Sequence, residues 1–311
     1  MILCCGEALI DMIPTPTTSG PDGFVPHPGG AVFNTAVALG RLGVEAGLLT
    51  GLSTDMFGAQ LTRALADSHV DATHVIRSDR PTTLAFVQLT NGQARYAFFD
   101  ENSAGRMLTP ADLPALPDSI SALYFGGISL ACEPGADAYA ALLACEGDTR
   151  AVMIDPNIRP GFIQDEPTYR ARLKAMIAAS DIVKLSDEDL DWLIPGPEPV
   201  MQKAAGLSGQ GASLVIVTRG SAGATGLLAD GTQVTVPAQK AQVVDTVGAG
   251  DTFNAGVLAK LSELGRLSKE ALRDLTSDEV EAALSHGAKV AAITVSRAGA
   301  NPPWAHELAE G

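Results

Sequence analysis

A glycine-rich stretch at residues 245–253 offers the clearest chemistry in the sequence. It reads Asp-Thr-Val-Gly-Ala-Gly-Asp-Thr-Phe, follows an apolar run at 242–244, and precedes an apolar helical pattern that begins near Thr252. A strand or extended arm that turns into a helix leaves the first helical N–H groups without partners, and these groups bind anions with the help of the helix dipole. The small residues in the turn let a bulky anion approach the backbone. The stretch therefore predicts a phosphate-binding turn.

Asp251 is an acidic residue inside this predicted anion site. A carboxylate there repels a bound phosphate, but it suits a base that takes the proton from a hydroxyl attacking a phosphoryl group. Because a carboxylate of ordinary pKa is already ionised at pH 7, this role needs no large pKa shift. The alternative is structural, since Asp is a favoured N-cap residue and glycine-rich turns often precede helices.

Length and composition limit the classes of function. The 311 residues suffice for one large α/β domain or two small ones, and the 46% hydrophobic and 18% charged fractions fit a globular soluble protein. The net charge of -15 argues against binding to nucleic acid or an anionic membrane. No uncharged apolar run approaches the ~20 residues of a membrane span. A basic signal-peptide region and zinc-ligand cysteine spacing are also missing, so we expect a cytoplasmic protein with reduced thiols.

Short apolar runs alternate with amphipathic helical patterns along most of the chain, which predicts a mostly parallel sheet with helices on both faces. The expected strands are 2–6 (continuing loosely to residue 12), 47–50, 123–125, 152–154, 182–184 and 214–217, with a β-meander at 223–228 and 233–236. The expected helices open at Gly29-Gly30 and after Gly250, and recur at 57–67, 136–145, 169–178, 188–193, 201–207 and 278–293.

Two segments break this alternation. Residues 14–28 are too rich in Pro, Thr and Gly for a core helix, and residues 83–99 read as a β-hairpin around an Asn91-Gly92 turn. We interpret segments 12–28 and 80–100 as a β-sheet lid on a single domain of residues 1–311. An exposed apolar face of this lid would include Leu84, Phe86 and Phe98, which makes a homodimer through the lid a hypothesis.

Polar residues gather where ligands bind in such folds, beyond the carboxyl ends of the strands. Asp11 is expected to end the first strand, and Asn34 lies in the first turn of the helix opened by Gly29-Gly30. Because each sugar hydroxyl needs a donor or an acceptor, these residues suit a polyhydroxylated ligand. Each also has a plainer interpretation, as a solvated strand end or an ordinary helix start.

The stretch 245–253 resembles the C-terminal signature of the ribokinase-like (PfkB) carbohydrate kinases, and Gly-Gly-Ala-Val-Phe-Asn-Thr-Ala at 29–36 resembles their N-terminal motif. The resemblance covers essentially the whole chain. It implies a three-layer α/β/α sandwich with a mostly parallel central sheet and a small β-sheet lid. The implied anion hole is Gly248, Ala249 and Gly250, with Asp251 as the catalytic base. The implied sugar-binding residues are Asp11, Gly29, Gly30, Asn34 and Asp251.

Two further motifs concern the phosphates. Arg159, in Asp-Pro-Asn-Ile-Arg, resembles the arginine of the family's Asp-x-Asn-x-Arg, which faces the phosphoryl group, although it could also be a surface arginine. Residues 184–189 line up with the family's Asn-x-x-Glu motif, which organises Mg²⁺ and phosphate through water. Ser186 stands where the family motif has Asn, and Asp189 stands where it has Glu. Equally, Ser186 makes a good N-cap with Asp189 at N3.

Residues 218–223 resemble the family's nucleotide-binding turn, and residues 294–300 resemble the loop that holds a monovalent cation in many relatives. The implied nucleotide contacts are Lys184, Ser186, Thr218, Arg219, Gly220, Gly223, Gly248 and Gly250. The implied cation site comprises Asp245, Val247, Thr294, Arg297 and Gly299. ATP and Mg²⁺ are the implied cofactors, with K⁺ as a further candidate.

Residues 80–86 and 101–104 further resemble bacterial fructokinases, which implies transfer of the ATP γ-phosphoryl group to the terminal hydroxyl of D-fructose. Two alternatives stay open: 2-keto-3-deoxygluconate kinase or another sugar or nucleoside kinase, and a sugar-binding regulator that has lost catalysis. A Rossmann dehydrogenase is disfavoured because no Gly-x-Gly-x-x-Gly follows the first strand, and a P-loop enzyme because no Gly-x-x-x-x-Gly-Lys occurs.

Overall fold

The computed structural model describes residues 1–21, 23–90 and 93–309. Its strands are β1 (Ile2–Cys5), β2 (Leu9–Thr15), β3 (Gly23–Gly29), β4 (Ala46–Leu49), β5 (Gly51–Ser53), β6 (Val70–Asp71), β7 (Ile76–Ser78), β8 (Leu84–Thr90), β9 (Gln93–Phe99), β10 (Ala122–Gly126), β11 (Ala151–Asp155), β12 (Ile182–Ser186), β13 (Leu214–Thr218), β14 (Ala224–Leu228) and β15 (Gln233–Val236). Its helices are α1 (Ala31–Arg41), α2 (Met56–Asp67), α3 (Gly135–Glu146), α4 (Glu166–Ala178), α5 (Asp187–Leu193), α6 (Val200–Ser208), α7 (Ala249–Glu263), α8 (Lys269–Arg273), α9 (Ser277–Val295) and α10 (Ala305–Ala309).

A nine-stranded central sheet has the order β15-β14-β13-β12-β11-β10-β1-β4-β6. Its pairs from β6 to β13 are parallel, and β14 and β15 add an antiparallel edge. Strands such as β10 and β11 are apolar and buried along their whole length, as expected for parallel strands covered on both faces. The predicted alternation of strands and helices is therefore confirmed.

Two hydrophobic cores cover the two faces of this sheet. Successive residues of β1 alternate between them, because side chains along a strand point to opposite faces. Helices α1, α2, α7 and α9 pack in one core, and α3, α4 and α6 in the other. The resulting three layers confirm the α/β/α class. No helix within the described residues is long and apolar enough to cross a membrane.

A separate four-stranded sheet has the order β3-β2-β8-β9, and we call it the second sheet. Its strands come from the two segments that break the βα alternation. The expected continuation of the first strand to residue 12 is wrong, because the chain leaves the central sheet after Cys5 and β2 pairs with β3 and β8. Asp11 therefore lies inside β2, not at the end of the first strand. The predicted Asn91-Gly92 turn lies outside the described residues.

The two faces of the second sheet differ from the prediction. Phe98 pairs with Ala85, whereas Phe99 pairs with Leu84, so Phe98 lies on the face opposite to Leu84 and Phe86. The parallel register places Asp11 beside Ala85, on the same face as Phe98. The other face instead carries an aromatic row in which Phe86 contacts Phe24 and Phe99, with ring centroids 5.1 and 5.5 Å apart.

Other differences from the sequence-based assignment are local. The run at 242–244 is an exposed extended arm rather than a strand. At its end, the N–H groups of Val244 and Asp245 both donate to the carbonyl of Val295. Helix α7 begins at Ala249, three residues before the predicted start. The short strands β5, β6 and β7 and helices α8 and α10 were not predicted, because two to five residues carry little periodicity.

Helices α7 and α9 cross at a pair of glycines. A Cβ added to Gly256 would lie 2.7 Å from Cα of Gly287, so the two backbones meet without side chains between them. This close packing fixes α7, which carries Asp251, against the core. The position of the predicted base thus depends on a helix crossing that only small residues permit.

We expect Gly256→Ala to destabilise the protein by about 1–3 kcal/mol, because the added methyl overpacks a backbone contact. The matched control is Gly206→Ala in α6, where an added Cβ meets nothing within 4 Å. That substitution should stabilise by roughly 0.5–1 kcal/mol through helix propensity. Urea unfolding of both variants measures the difference, and equal effects at the two positions would contradict the crossing.

Candidate active site

A cavity of about 770 Å³ opens beyond the carboxyl ends of the central strands and is bordered by the second sheet. We call it the main cavity. Its size suits a small-molecule ligand. Predicted site residues that line it are Asp11, Gly30, Arg159, Lys184, Val247, Gly248, Ala249, Gly250 and Asp251. Residues from both ends of the sequence therefore meet in one concave site.

The glycine-rich turn forms the N-terminus of α7. Gly248 is the N-cap residue in a left-handed conformation, with φ 77°, and a Cβ there would lie 2.5 Å from Cβ of Ala300. Only glycine meets both requirements. Asp251 is the third residue of the helix and does not cap it, so the structural alternative for this side chain is wrong. The Ala249 N–H donates to the Thr246 carbonyl at 3.3 Å, and residues 248–251 of this helix N-terminus line the cavity wall, where a helix N-terminus suits an anion.

The Asp251 carboxylate is fixed by a residue from the other end of the chain. Its Oδ2 accepts a hydrogen bond from Nδ2 of Asn34 at 2.9 Å, and its backbone carbonyl accepts one from Oγ1 of Thr35 at 3.1 Å. Burial raises the pKa of Asp251 to about 7, while the Asn34 hydrogen bond lowers it and the Asp155 carboxylate raises it further. The proposed role needs no such shift, which arises because the side chain is buried between α1 and α7.

A second buried carboxylate, Asp155, organises the floor of the main cavity. Its Oδ2 accepts hydrogen bonds from Nζ of Lys184 at 2.8 Å and from Nδ2 of Asn254 at 2.7 Å. Asn254 lies one turn beyond Asp251 on α7, and its Nδ2 is also 3.0 Å from the Tyr124 hydroxyl. Because buried charges need partners, this network locks α7 to β11 and β12.

The glycine pair before α1 packs against two acidic residues. A Cβ on Gly29 would lie 2.1 Å from Oδ2 of Asp11, and one on Gly30 would lie 2.9 Å from the Glu7 carbonyl. Burial raises the pKa of Asp11 to about 6. Glu7 itself joins two elements, since Oε1 accepts from the Ala31 N–H at 3.1 Å and Oε2 from the Ser129 N–H at 3.2 Å. Burial also raises the pKa of Glu7.

Several lining residues were missed by the sequence analysis. They include Glu7, Phe98 as a cavity residue, Asp100, Arg106 and Phe162. The available signal was an acidic residue directly after a buried apolar run, which holds for Glu7. Phe98 and Phe162, whose rings are 4.4 Å apart, come from distant segments and gave no such signal.

Ser186 and Asp189 form the capping box of α5, as the structural alternative predicted. Asp189 Oδ1 also accepts a hydrogen bond from the Ile158 N–H at 2.9 Å, and neither residue lines the main cavity. Both side chains are therefore accounted for by local structure. The geometry favours the capping interpretation over the predicted Mg²⁺ contact.

The predicted nucleotide turn follows β13, next to β12, at the same edge of the sheet as the main cavity. Thr218 pairs with Ser186 in the sheet register, and Nη2 of Arg219 donates to Oγ1 of Thr225 at 2.9 Å. Gly220 and Gly223 have φ values of 49° and 90°. These residues lie beyond the cavity lining, so their nucleotide contacts stay a prediction.

The two loops of the predicted cation site lie together. Asp245 accepts hydrogen bonds from the Val247 N–H at 3.0 Å and, with its other oxygen, from the Gly299 N–H at 2.9 Å. The side chains of Thr294 and Arg297 point elsewhere, Thr294 to the Val290 carbonyl and Arg297 to Glu307. Only the backbone of these two residues is therefore available to a cation.

Comparison with known proteins agrees with this geometry. Residues 1–307 match the family described as pfkB family carbohydrate kinase. A fructokinase of Rhizobium leguminosarum bv. trifolii is 53% identical over 276 residues, which cover 88% of this chain and 84% of that protein. The Xylella fastidiosa fructokinase structure with bound ATP superposes with a TM-score of 0.88 at 28% identity, covering 99% of this chain and 97% of that one.

A double-mutant fructokinase from Vibrio cholerae O395, solved with fructose, ADP and potassium ion, has a TM-score of 0.83 at 25% identity and covers 96% of this chain and 93% of that one. The family match, the identity to the Rhizobium protein and the shared fold all cover most of the sequence. The chain belongs to the pfkB family of carbohydrate kinases.

Proposed function

We propose that the protein is an ATP-dependent fructokinase, which transfers the γ-phosphoryl group of ATP to the terminal hydroxyl of D-fructose. One observation carries the proposal: a buried carboxylate, Asp251, lies at the N-terminus of α7 in the same cavity as Asp11. A carboxylate beside a helix terminus suited to phosphate supports a general-base role for Asp251. The fructokinase relatives support fructose over the alternative sugars.

In the proposed reaction, Asp251 takes the proton of the sugar's terminal hydroxyl. The hydroxyl oxygen forms a bond to the γ-phosphorus while the bond between that phosphorus and the β,γ-bridging oxygen breaks, which releases ADP. Asn34 holds one carboxylate oxygen, so the other is available to the substrate. The N–H groups of residues 248–250 and the Arg159 guanidinium stabilise charge on the transferred phosphoryl group.

The substrate-binding residues in this proposal are those that the family motifs imply. Asp11 and Asn34, with the backbone of Gly29 and Gly30, bind the sugar hydroxyls, and the second sheet acts as a lid over them within a single domain. Asp11 and Gly30 line the main cavity, which supports their part in it. Nucleotide contacts come from Lys184 and the turn at 218–223. Since ATP and sugar phosphates are intracellular metabolites and the described cysteines are free thiols, we assign the protein to the cytoplasm.

Two cations accompany the proposal. Within the described residues no cluster of three or more His, Cys, Asp or Glu forms a metal cage, which fits Mg²⁺ that arrives on the ATP phosphates and keeps water ligands. When bound, Mg²⁺ neutralises charge on those phosphates. Asp245, which joins the loops at 245–247 and 294–300, fits a monovalent cation beside the N-terminus of α7.

We expect Asp251→Asn to lose at least ~100-fold in kcat, because general-base catalysis contributes this much or more. Asp278→Asn is the matched control, since Asp278 lies in the first turn of α9 and outside the main cavity. A coupled ADP-release assay over a panel of sugars and sugar acids measures both variants and the substrate preference. Near-normal turnover of Asp251→Asn would remove this residue from the mechanism. A preference for another sugar would contradict D-fructose as the substrate.

The pKa of Asp251 predicts a pH dependence of stability. The folded protein retains a proton that the unfolded chain releases, because burial raises this pKa from 3.8 to about 7. The stabilisation that the Asp251 carboxyl contributes is therefore fully present at a pH below its unfolded-state pKa. It is lost as the pH rises through the folded-state pKa. Asp251→Asn removes the effect, so its stability relative to the wild type should rise by a few kcal/mol from about pH 4 to pH 8.

Urea unfolding across this pH range tests the expectation. Asp278→Asn again serves as the control and should track the wild type. A relative stability that is flat with pH would mean that Asp251 titrates near its ordinary pKa in the folded protein.

We also propose a homodimer through the second sheet. Its outer face carries Phe24 and Phe99, which are 47% and 58% exposed, around Phe86. Pairing two such faces removes apolar area from water. Light scattering at micromolar concentration should give a dimer for the wild type and a monomer for Phe99→Ser.

Met56→Ser, which removes a more exposed apolar side chain at the start of α2, is the control and should leave the mass unchanged. A monomeric wild type would count against the dimer.

A further inference from the structure

We propose that Asp100 makes the sugar site selective for neutral sugars by holding the guanidinium of Arg106 in an ion pair. This inference rests on the proposed function, because it concerns the choice of sugar in the same cavity. It assigns a specificity role to two residues that carry no part of the phosphoryl transfer.

The Asp100–Arg106 pair is well defined. Nη1 of Arg106 lies 3.1 Å from both carboxylate oxygens of Asp100, and Nε donates to the Glu133 carbonyl at 3.0 Å. The side chains of Arg106 and Asp100 are only 14% and 9% exposed, respectively, so solvent screens their attraction weakly. Both residues line the main cavity. The pair therefore presents a largely neutralised cation to the ligand.

The chain trace places this pair at the sugar end of the cavity. Asp100 directly follows β9, where Phe98 lies in the same cross-strand row as Ala85 and Asp11. The Ser103 N–H donates to the Asp100 carbonyl at 2.9 Å, and the Arg106 N–H donates to Oγ of Ser103 at 3.2 Å. This compact turn holds both partners beside the second sheet.

A second, small cavity of about 20 Å³ lies behind the pair, and Glu7, Asp100 and Arg106 line both cavities. The three side chains therefore form a wall between the main cavity and the protein interior. Because this volume admits at most about one water, the pair has little solvent on its inner side. The ion pair is thus built into the wall rather than lying on a mobile surface.

Charge at this end of the cavity disfavours an anionic sugar. Carboxylates at the sugar end of the described lining are those of Glu7, Asp11, Asp100 and Glu101, whereas the nearby cation is Arg106, already paired with Asp100. A sugar acid that offers its terminal hydroxyl to Asp251 carries its carboxylate at the opposite end. It would meet these acids without a free guanidinium, whereas neutral hydroxyls can both donate and accept.

The test is the specificity of Asp100→Asn, which keeps the shape and one acceptor oxygen but leaves the Arg106 charge uncompensated. With D-fructose and 2-keto-3-deoxygluconate as substrates, we expect the acid-to-fructose ratio of kcat/KM to rise at least about 10-fold, the effect of one hydrogen bond to a charged group. Calorimetric titration with the sugar acid alone should show the matching gain in affinity, independent of turnover.

Two controls separate the mechanism from simple loss of negative charge. Glu101→Gln removes a lining carboxylate without freeing Arg106 and should raise the ratio clearly less than Asp100→Asn does. The double variant with Asp100→Asn and Arg106→Gln should lose the gain. An unchanged ratio in Asp100→Asn, or a gain that survives in the double variant, overturns the proposal.

Stability and wild-type activity complete the design. If Asp100→Asn does not fold, Asp100→Ser replaces it. Failure of both to fold while Arg106→Gln folds would make the carboxylate structural and the proposal wrong. A wild type inactive on fructose overturns the proposed function instead, and the titration with the sugar acid still tests the role of Asp100.

Discussion

The hydrogen bond between Asn34 and Asp251 is the contact on which the site depends. It joins helices separated by more than two hundred residues, and it is possible only because α1 and α7 pack side by side on one face of the central sheet. The packing of α1 and α7 on the same face of the sheet brings these two helix N-termini together. The proposed sugar-binding and phosphate-binding halves of the site are thus joined by a buried polar contact.

Burial has two effects at this contact. It excludes water from the carboxylate, which strengthens the Asn34 hydrogen bond, and it raises the pKa of Asp251 close to neutral pH. A base with a pKa near the working pH accepts a proton more readily than an ordinary aspartate and is still partly ionised. The network of Asp155, Lys184 and Asn254 holds the other side of α7, so the proposed base is constrained from two directions.

Sequence patterns predicted the central sheet well because its strands are continuous apolar runs and its helices are amphipathic. They failed where structure depends on partners distant in sequence. The residues of β2 do not themselves indicate that this strand leaves the central sheet. Likewise, residues 97–99 alternate between the two faces of the second sheet, but their sequence cannot show which face borders the cavity. The same limit applies to the site. Motif residues such as Asp251 were identified, whereas Asp100 and Arg106 acquire meaning only through their ion pair.

The glycine contact between α7 and α9 links the last long helix to the chemistry. A Cβ added to Gly287 would lie 2.8 Å from the Phe253 carbonyl of α7, so even a small volume increase at this position must move the helix that carries the proposed base. Substitutions there would touch neither sugar nor nucleotide, yet they would alter the alignment of donor and acceptor. Damage to catalysis in this protein can therefore originate far outside the ligand-binding surface, in a helix whose sequence carries no catalytic motif.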